Sequence, residues 1–78
     1  MVDLKNILAI IAKSIVDRPE DVAVIETVEG NDIILELSVA ADDMGKVIGK
    51  RGRIARAIRM VMKSAASSVD KKVVVKIK

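Results

Sequence analysis

The sequence contains no cysteine, no histidine and no aromatic residue, and each absence removes a class of function. Without cysteine there is neither a disulfide framework nor a thiolate that could ligate a metal or attack a substrate. Without histidine the commonest general base and metal ligand is missing. Without Phe, Tyr or Trp there is no ring on which a nucleobase could stack. These absences argue against an enzyme, and we expect no cofactor, no metal site and no small-molecule substrate.

Long apolar runs are also missing, because charged residues interrupt each run well before the ~18 residues that a membrane-spanning helix needs. The 78 residues are 51% hydrophobic and 32% charged, which suffices for one small domain with its own core. We therefore expect a single domain over residues 1–78 without a membrane segment. The absence of cysteine fits a cytoplasmic location.

The charges are divided unevenly along the chain. Residues 1–43 hold ten acids and three bases, a net charge of −7, whereas residues 44–78 hold eleven bases and one acid, a net charge of +10. The total of +3 therefore conceals a basic half that suits a polyanion. A dipolar protein whose two halves neutralise each other in the fold is the alternative that charge alone leaves open.

Hydrophobic periodicity in the first half predicts one helix and two strands. The helix is expected over residues 2–16, with Asp3 in its first turn, and it must end before Pro19. Strands rich in β-branched residues are expected over residues 22–28 and 33–39. A Gly-Asn-Asp turn separates the two strands, so they are predicted to form a hairpin.

The second half predicts two helices and a third strand. Asp42 or Asp43 is expected to cap a short helix that ends near Ile48. A longer helix over residues 53–67 and a strand over residues 72–78 follow. The order α-β-β-α-α-β predicts an α+β fold in which a three-stranded sheet has helices on one face.

The longer helix separates apolar from basic side chains at 100° per residue, with Met60 among the bases. We expect the apolar arc to face the sheet and the basic arc to face water. No acid occurs between residues 44 and 69, so the bases repel one another, which favours a binding surface over an ordinary solvated face. The apolar arc comprises Ile54, Ala57, Ile58, Val61, Met62 and Ala65, and the basic arc comprises Arg53, Arg56, Arg59 and Lys63.

The connection between the two helices is the segment Gly49-Lys50-Arg51-Gly52, here called the GKRG loop. Glycines permit positive φ and a close backbone approach, and the loop opens onto a helix N-terminus that suits a phosphate. Lys50 and Arg51 add positive charge at the same point. The alternative is that Gly49 caps a helix and Gly52 completes a turn, with the two bases present for solubility.

The run Val47-Ile48-Gly49-Lys50-Arg51-Gly52-Arg53-Ile54 resembles the signature of KH domains, whose Gly-x-x-Gly loop clamps about four nucleotides of single-stranded RNA. The element order resembles the type II KH topology rather than type I. The whole chain is similar to the small stand-alone KH proteins of bacteria, the KhpA (YlqC) family. That resemblance implies a partner of the KhpB (EloR/Jag) type and post-transcriptional regulation linked to cell shape and envelope growth.

The resemblance also implies roles for individual residues. The GKRG loop would hold the sugar–phosphate backbone, while the neighbouring basic residues would add phosphate contacts. Apolar residues beside the loop, including Val47, would contribute to the core or to the groove for the bases, and the second strand would form the other wall of that groove. The expected RNA-binding residues are Gly49, Lys50, Arg51, Gly52, Lys46, Ile48, Arg53, Ile54 and Arg56.

Two other functions remain open from the sequence. The helix pair could enter the major groove of duplex DNA. The mean hydropathy of +0.36 is high, and four apolar residues lie off the expected core faces, which fits a protein-assembly module. A homodimer, or a heterodimer with another KH protein, is therefore expected alongside RNA binding. The four residues are Ile10, Ile34, Met60 and Val74.

Overall fold

The computed structural model describes residues 3–78, and the elements follow the predicted order. The strand bounds lie within one residue of the prediction, and the third helix ends two residues early. The predicted helix start at residue 2 lies outside the described residues. Within residues 3–78, no helix is long and apolar enough to cross a membrane. The elements are α1 (Leu4–Ile15), β1 (Ala23–Glu29), β2 (Asp32–Ser38), α2 (Met44–Ile48), α3 (Arg53–Ala65) and β3 (Lys72–Ile77).

The sheet has the strand order β1-β2-β3, and the helices cover one of its faces. β1 and β2 form the predicted antiparallel hairpin, while β2 and β3 run parallel. Parallel neighbours need a crossover connection, and the segment containing α2 and α3 supplies it. The predicted α+β architecture is therefore confirmed.

The core forms where the helices meet the sheet. Leu35 and Leu37 of β2 are fully buried, as the alternation of that strand predicts. Leu8 of α1, Val47 of α2 and Met62 of α3 pack into the same cluster. This cluster joins all three helices to the sheet.

The expected orientation of α3 is wrong by part of a turn. Ile54 and Val61 are 36% and 49% exposed, and Ala57 is exposed as well, although all three were expected to face the sheet. Two alanines, Ala55 and Ala66, are buried instead. Both alanines are small and only weakly hydrophobic, whereas a hydropathy pattern gives more weight to isoleucine and valine. The buried residues of α3 are Ala55, Ile58 and Met62.

The predicted place of Asp3 in the first turn of α1 and the predicted capping of α2 by Asp42 or Asp43 both differ in the structure. Asp3 precedes α1 as its N-cap, and its side chain accepts a hydrogen bond from the Asn6 amide at 3.1 Å. Asp43 occupies the N-cap position of α2, but its side chain makes no capping bond. Its buried carboxylate instead accepts hydrogen bonds from the amides of Asp17 and Arg18 at 3.1 and 3.0 Å. Asp43 therefore joins the segment after α1 to the start of α2.

Candidate nucleic-acid interface

The GKRG loop has an unusual backbone conformation. Gly49 and Gly52 have φ values of 74° and 73°, in the region where glycine is favoured. Arg51 has a φ of 56° and is the one non-glycine residue of the described chain with positive φ. Such a conformation costs a residue with a Cβ about 1–2 kcal/mol, so surrounding contacts must maintain it. The loop therefore has a defined, sharply turned shape.

The two glycines are needed for different reasons. A Cβ at Gly49 would overlap Cγ1 of Ile54 and would lie 3.0 Å from the Ile54 backbone nitrogen. A Cβ at Gly52 would have no such neighbour within 4 Å. Gly49 is thus required by a close approach as well as by its φ, whereas Gly52 is required by its φ alone.

The loop presents positive charge beside a helix start that has no side-chain cap. Lys50 and Arg51 are exposed, and no acid lies in the first turn of α3. Arg56 points back from α3, where its Nη2 donates a hydrogen bond to the carbonyl oxygen of Arg51 at 2.7 Å. Arg56 thereby holds the carbonyl of the strained residue, while Arg53 remains exposed at the helix start. The arrangement can accept a phosphate at the loop and the helix N-terminus.

Lys46 lies one turn before the loop, but its charge is partly engaged. Its Nζ forms an ion pair and a hydrogen bond with the carboxylate of Asp17. The hydrogen bond that Lys46 donates to Asp17 raises the pKa of Lys46, because it favours the charged ammonium. Lys46 therefore remains protonated, and a phosphate at this position would compete with Asp17 for it.

The apolar neighbours of the loop divide into core and surface. Val47 is fully buried, whereas Ile48 is 40% exposed and Ile54 is 36% exposed. Ile48 and Ile54 flank the loop on both sides in the sequence. They provide partly open apolar surface next to the positive charges, a combination that suits a nucleobase beside its phosphate.

The second strand cannot offer a backbone edge for the groove, because β2 is the central strand and is paired on both sides. The strand edge nearest α3 belongs to β3. The backbone amide of Lys72 in β3 donates to the carbonyl of Asn31, which precedes β2. Because successive residues of a strand point their backbone groups to opposite sides, the amide and carbonyl of Val75 point away from β2. Nε of Arg59 donates to the carbonyl of Val75 at 3.4 Å. Sequence periodicity shows neither the strand order nor this contact.

The element order, the mixed sheet and the Gly-x-x-Gly loop between two helices together define a KH domain of type II. A family model described as "KhpA/KhpB, KH domain" matches residues 5–77. The chain therefore belongs to the KhpA/KhpB KH-domain family, which is not a family of enzymes.

The curated relatives match over nearly their whole length. A protein of Clostridium perfringens (strain 13 / Type A) is 61% identical over 74 residues, which cover 95% of this chain and 99% of that protein. A protein of Clostridium acetobutylicum is 58% identical with the same coverage. A protein of Chlamydia muridarum is 50% identical over 70 residues, or 90% of each chain. Each of these relatives is named "RNA-binding protein KhpA".

Proposed function

We propose that this protein binds single-stranded RNA and catalyses no reaction, with the GKRG loop as the clamp on the sugar–phosphate backbone. The observation that carries the proposal is the loop itself. Its backbone turns sharply at Gly49 and Gly52, two cationic side chains project from it, and an uncapped helix start follows. The names of the relatives support RNA as the ligand.

The neighbouring residues receive distinct roles in this proposal. Ile48 and Ile54 contact the bases through their exposed apolar surface. Arg53 adds a phosphate contact at the start of α3. Arg56 acts chiefly by holding the Arg51 carbonyl, and Lys46 contacts a phosphate after leaving Asp17.

A clamp of about four nucleotides binds weakly by itself, so we propose that a second RNA site acts with it. That site is supplied by another copy of this chain or by a KhpB-type protein. The family description, which spans KhpA and KhpB, supports such a partner. Exposed Ile10 and Met60 supply apolar surface for assembly, and Ile34 and Val74 are neighbours on the uncovered face of the sheet.

The cellular role that we propose rests on the resemblance to the KhpA family. We propose that residues 1–78 act as one KH domain in the cytoplasm, where post-transcriptional regulation takes place. The proposed output is control of cell shape and envelope growth. Deletion of the gene should alter cell dimensions, and the wild-type gene should restore them while a loop variant should not.

The RNA-binding proposal is tested by reversing the charge of the loop. In the double variant Lys50→Asp/Arg51→Asp, two attractive charges become repulsive at exposed positions that contribute nothing to the core. We expect affinity for a labelled, randomised single-stranded RNA to fall at least about 30-fold. Fluorescence anisotropy measures the affinity, and circular dichroism verifies that the variant is folded.

A matched control is Lys5→Asp/Lys72→Asp, which makes the same change in net charge at two exposed residues remote from the loop. We expect this control to bind RNA within about threefold of the parent. Equal weakening of both double variants would mean that RNA senses net charge and not the loop. Competition with duplex DNA provides the second comparison, because a helix-turn-helix reader would prefer the duplex.

A further inference from the structure

A pocket of about 540 Å³ lies on the helix-covered side of the sheet, where the helices leave the sheet partly open. Val28 and Ile33, paired neighbours on β1 and β2, form its floor. Leu4 at the start of α1 and Val69 before β3 contribute its apolar walls. Val28 is 52% exposed, although its side chain lies on the same face of β1 as the buried Val24. The floor therefore offers apolar surface that residues 3–78 leave uncovered.

The rim of this pocket is acidic. Asp3, Glu26 and Asp70 line it, and one base, Lys71, lies among them. All four residues are exposed. A group that enters the pocket therefore meets apolar carbon at the bottom and a net negative charge at the mouth. We refer to this feature as the acidic pocket.

The acidic pocket lies at the opposite end of the sheet from the GKRG loop. Its floor is next to the β1–β2 turn, whereas the loop follows the other end of β2. The helix α3 lies between the GKRG loop and the acidic pocket, and its 13 residues at 1.5 Å each make it about 20 Å long. A polyanion is attracted to the GKRG loop and repelled by the acids at the rim of the acidic pocket, although Lys63 and Lys72 line a neighbouring cavity that shares Val69, Asp70 and Lys71 with it.

We propose that the acidic pocket binds a segment of a partner protein that presents an aliphatic side chain between lysine or arginine residues. The aliphatic group covers Val28 and Ile33, and the flanking cations face Glu26 and Asp70. The charge complementarity selects a cationic segment, because an acidic or phosphorylated one would be repelled. The proposal does not depend on RNA binding, and it allows both ligands to be bound together.

Defined peptides test the pocket with the whole chain. The probe is acetyl-Gly-Lys-Lys-Leu-Lys-Lys-Gly-amide, and two matched peptides replace either every lysine with glutamate or the leucine with glycine. We expect the leucine–lysine peptide to shift the NMR amide signals of Glu26, Val28, Ile33 and Val69. We expect neither control peptide to do so at the same concentration.

Two pairs of protein variants localise the effect. Glu26→Lys/Asp70→Lys should weaken binding of the leucine–lysine peptide about tenfold, since two rim charges change sign. Glu29→Lys is the control, because Glu29 is an exposed acid of β1 whose side chain lies on the uncovered face of the sheet. It should change the affinity for the peptide less than about twofold. Val28→Ser should weaken binding and Ile25→Ser should not, because Ile25 lies on the opposite face.

Three results would overturn the proposal. The rim double variant could bind the peptide as well as the parent does. The glycine peptide could bind equally well, which would reduce the effect to bulk charge attraction. The chain could instead self-associate through the acidic pocket, so that Val28→Ser lowers the mass in sedimentation without affecting the peptide. Each is distinguishable from a failure of RNA binding, because the Lys50→Asp/Arg51→Asp variant should bind the peptide normally.

Discussion

At the scale of single residues, Gly49 and Gly52 have nearly the same φ but different surroundings. Gly49 has Ile54 against the position of its absent Cβ, whereas Gly52 has open space there. A substitution at either position is destabilised by the left-handed backbone, but only a substitution at Gly49 also creates a steric overlap. The pair therefore separates backbone strain from packing.

We expect Gly49→Ala to lower the free energy of unfolding by about 2 kcal/mol or more, since strain and overlap add. Gly52→Ala should lower it by about 1 kcal/mol, from φ alone. Urea denaturation followed by circular dichroism measures both values. Equal losses for the two variants would show that Ile54 moves aside without cost and that Gly49 is not specially constrained.

Buried Asp43 provides the second residue-scale prediction. Its carboxylate accepts from the amides of Asp17 and Arg18, and removal of the acceptor leaves these donors without their partner. Asp43→Ala should destabilise the fold by about 2–3 kcal/mol. The exposed neighbour gives the control, because Asp42→Ala should change stability by no more than about 0.5 kcal/mol. Thermal or urea unfolding of both variants measures the difference, and equal effects would contradict a structural role for Asp43.

At the scale of elements, Glu36 connects β2 to the residue after β3. Its carboxylate lies 2.8 Å from Nζ of Lys78, and this hydrogen bond, with the positive charge of Lys78, lowers the pKa of Glu36 below its ordinary value of 4.5. The folded state therefore favours the ionised form. The resulting stabilisation is present above the ordinary pKa and is lost as the pH falls through the lowered value.

We expect the stability difference between the parent and Glu36→Gln to be larger at about pH 7 than at about pH 3. Urea unfolding at both pH values gives this difference directly. Glu29→Gln is the control, since its side chain lies at the strand end away from Lys78. A difference that does not change with pH would show that the Glu36–Lys78 pair does not contribute to folding.

The sequence predicts the elements more accurately than their rotation. The alternation of β2 puts Leu35 and Leu37 on one face, and both are buried, because a strand has only two faces. A helix offers a continuous range of orientations, so the pattern of α3 could not distinguish Ile54 from Ala55 as the buried residue. The Gly-x-x-Gly spacing predicted the loop, but the left-handed Arg51 and its bond from Arg56 depend on contacts that spacing does not contain.

At the scale of the whole molecule, the acidic and basic halves of the sequence do not form one acidic side and one basic side. The basic stretch supplies the loop and α3, while some acids pair with bases, as Asp17 does with Lys46. Other acids surround the pocket at the far end of the sheet. Under the two proposals made above, RNA binds at one end of the molecule and a cationic protein segment binds at the other.

The central claim is that Lys50 and Arg51 contact phosphates of single-stranded RNA, and the salt dependence of binding tests it most directly. For about three phosphates, the logarithm of the association constant should fall with the logarithm of the salt concentration at a slope of about −2. In Lys50→Ala/Arg51→Ala, two contacts are lost and the slope should become about −0.7. An unchanged slope in this folded variant would contradict the claim, because RNA would then be held by charges outside the loop.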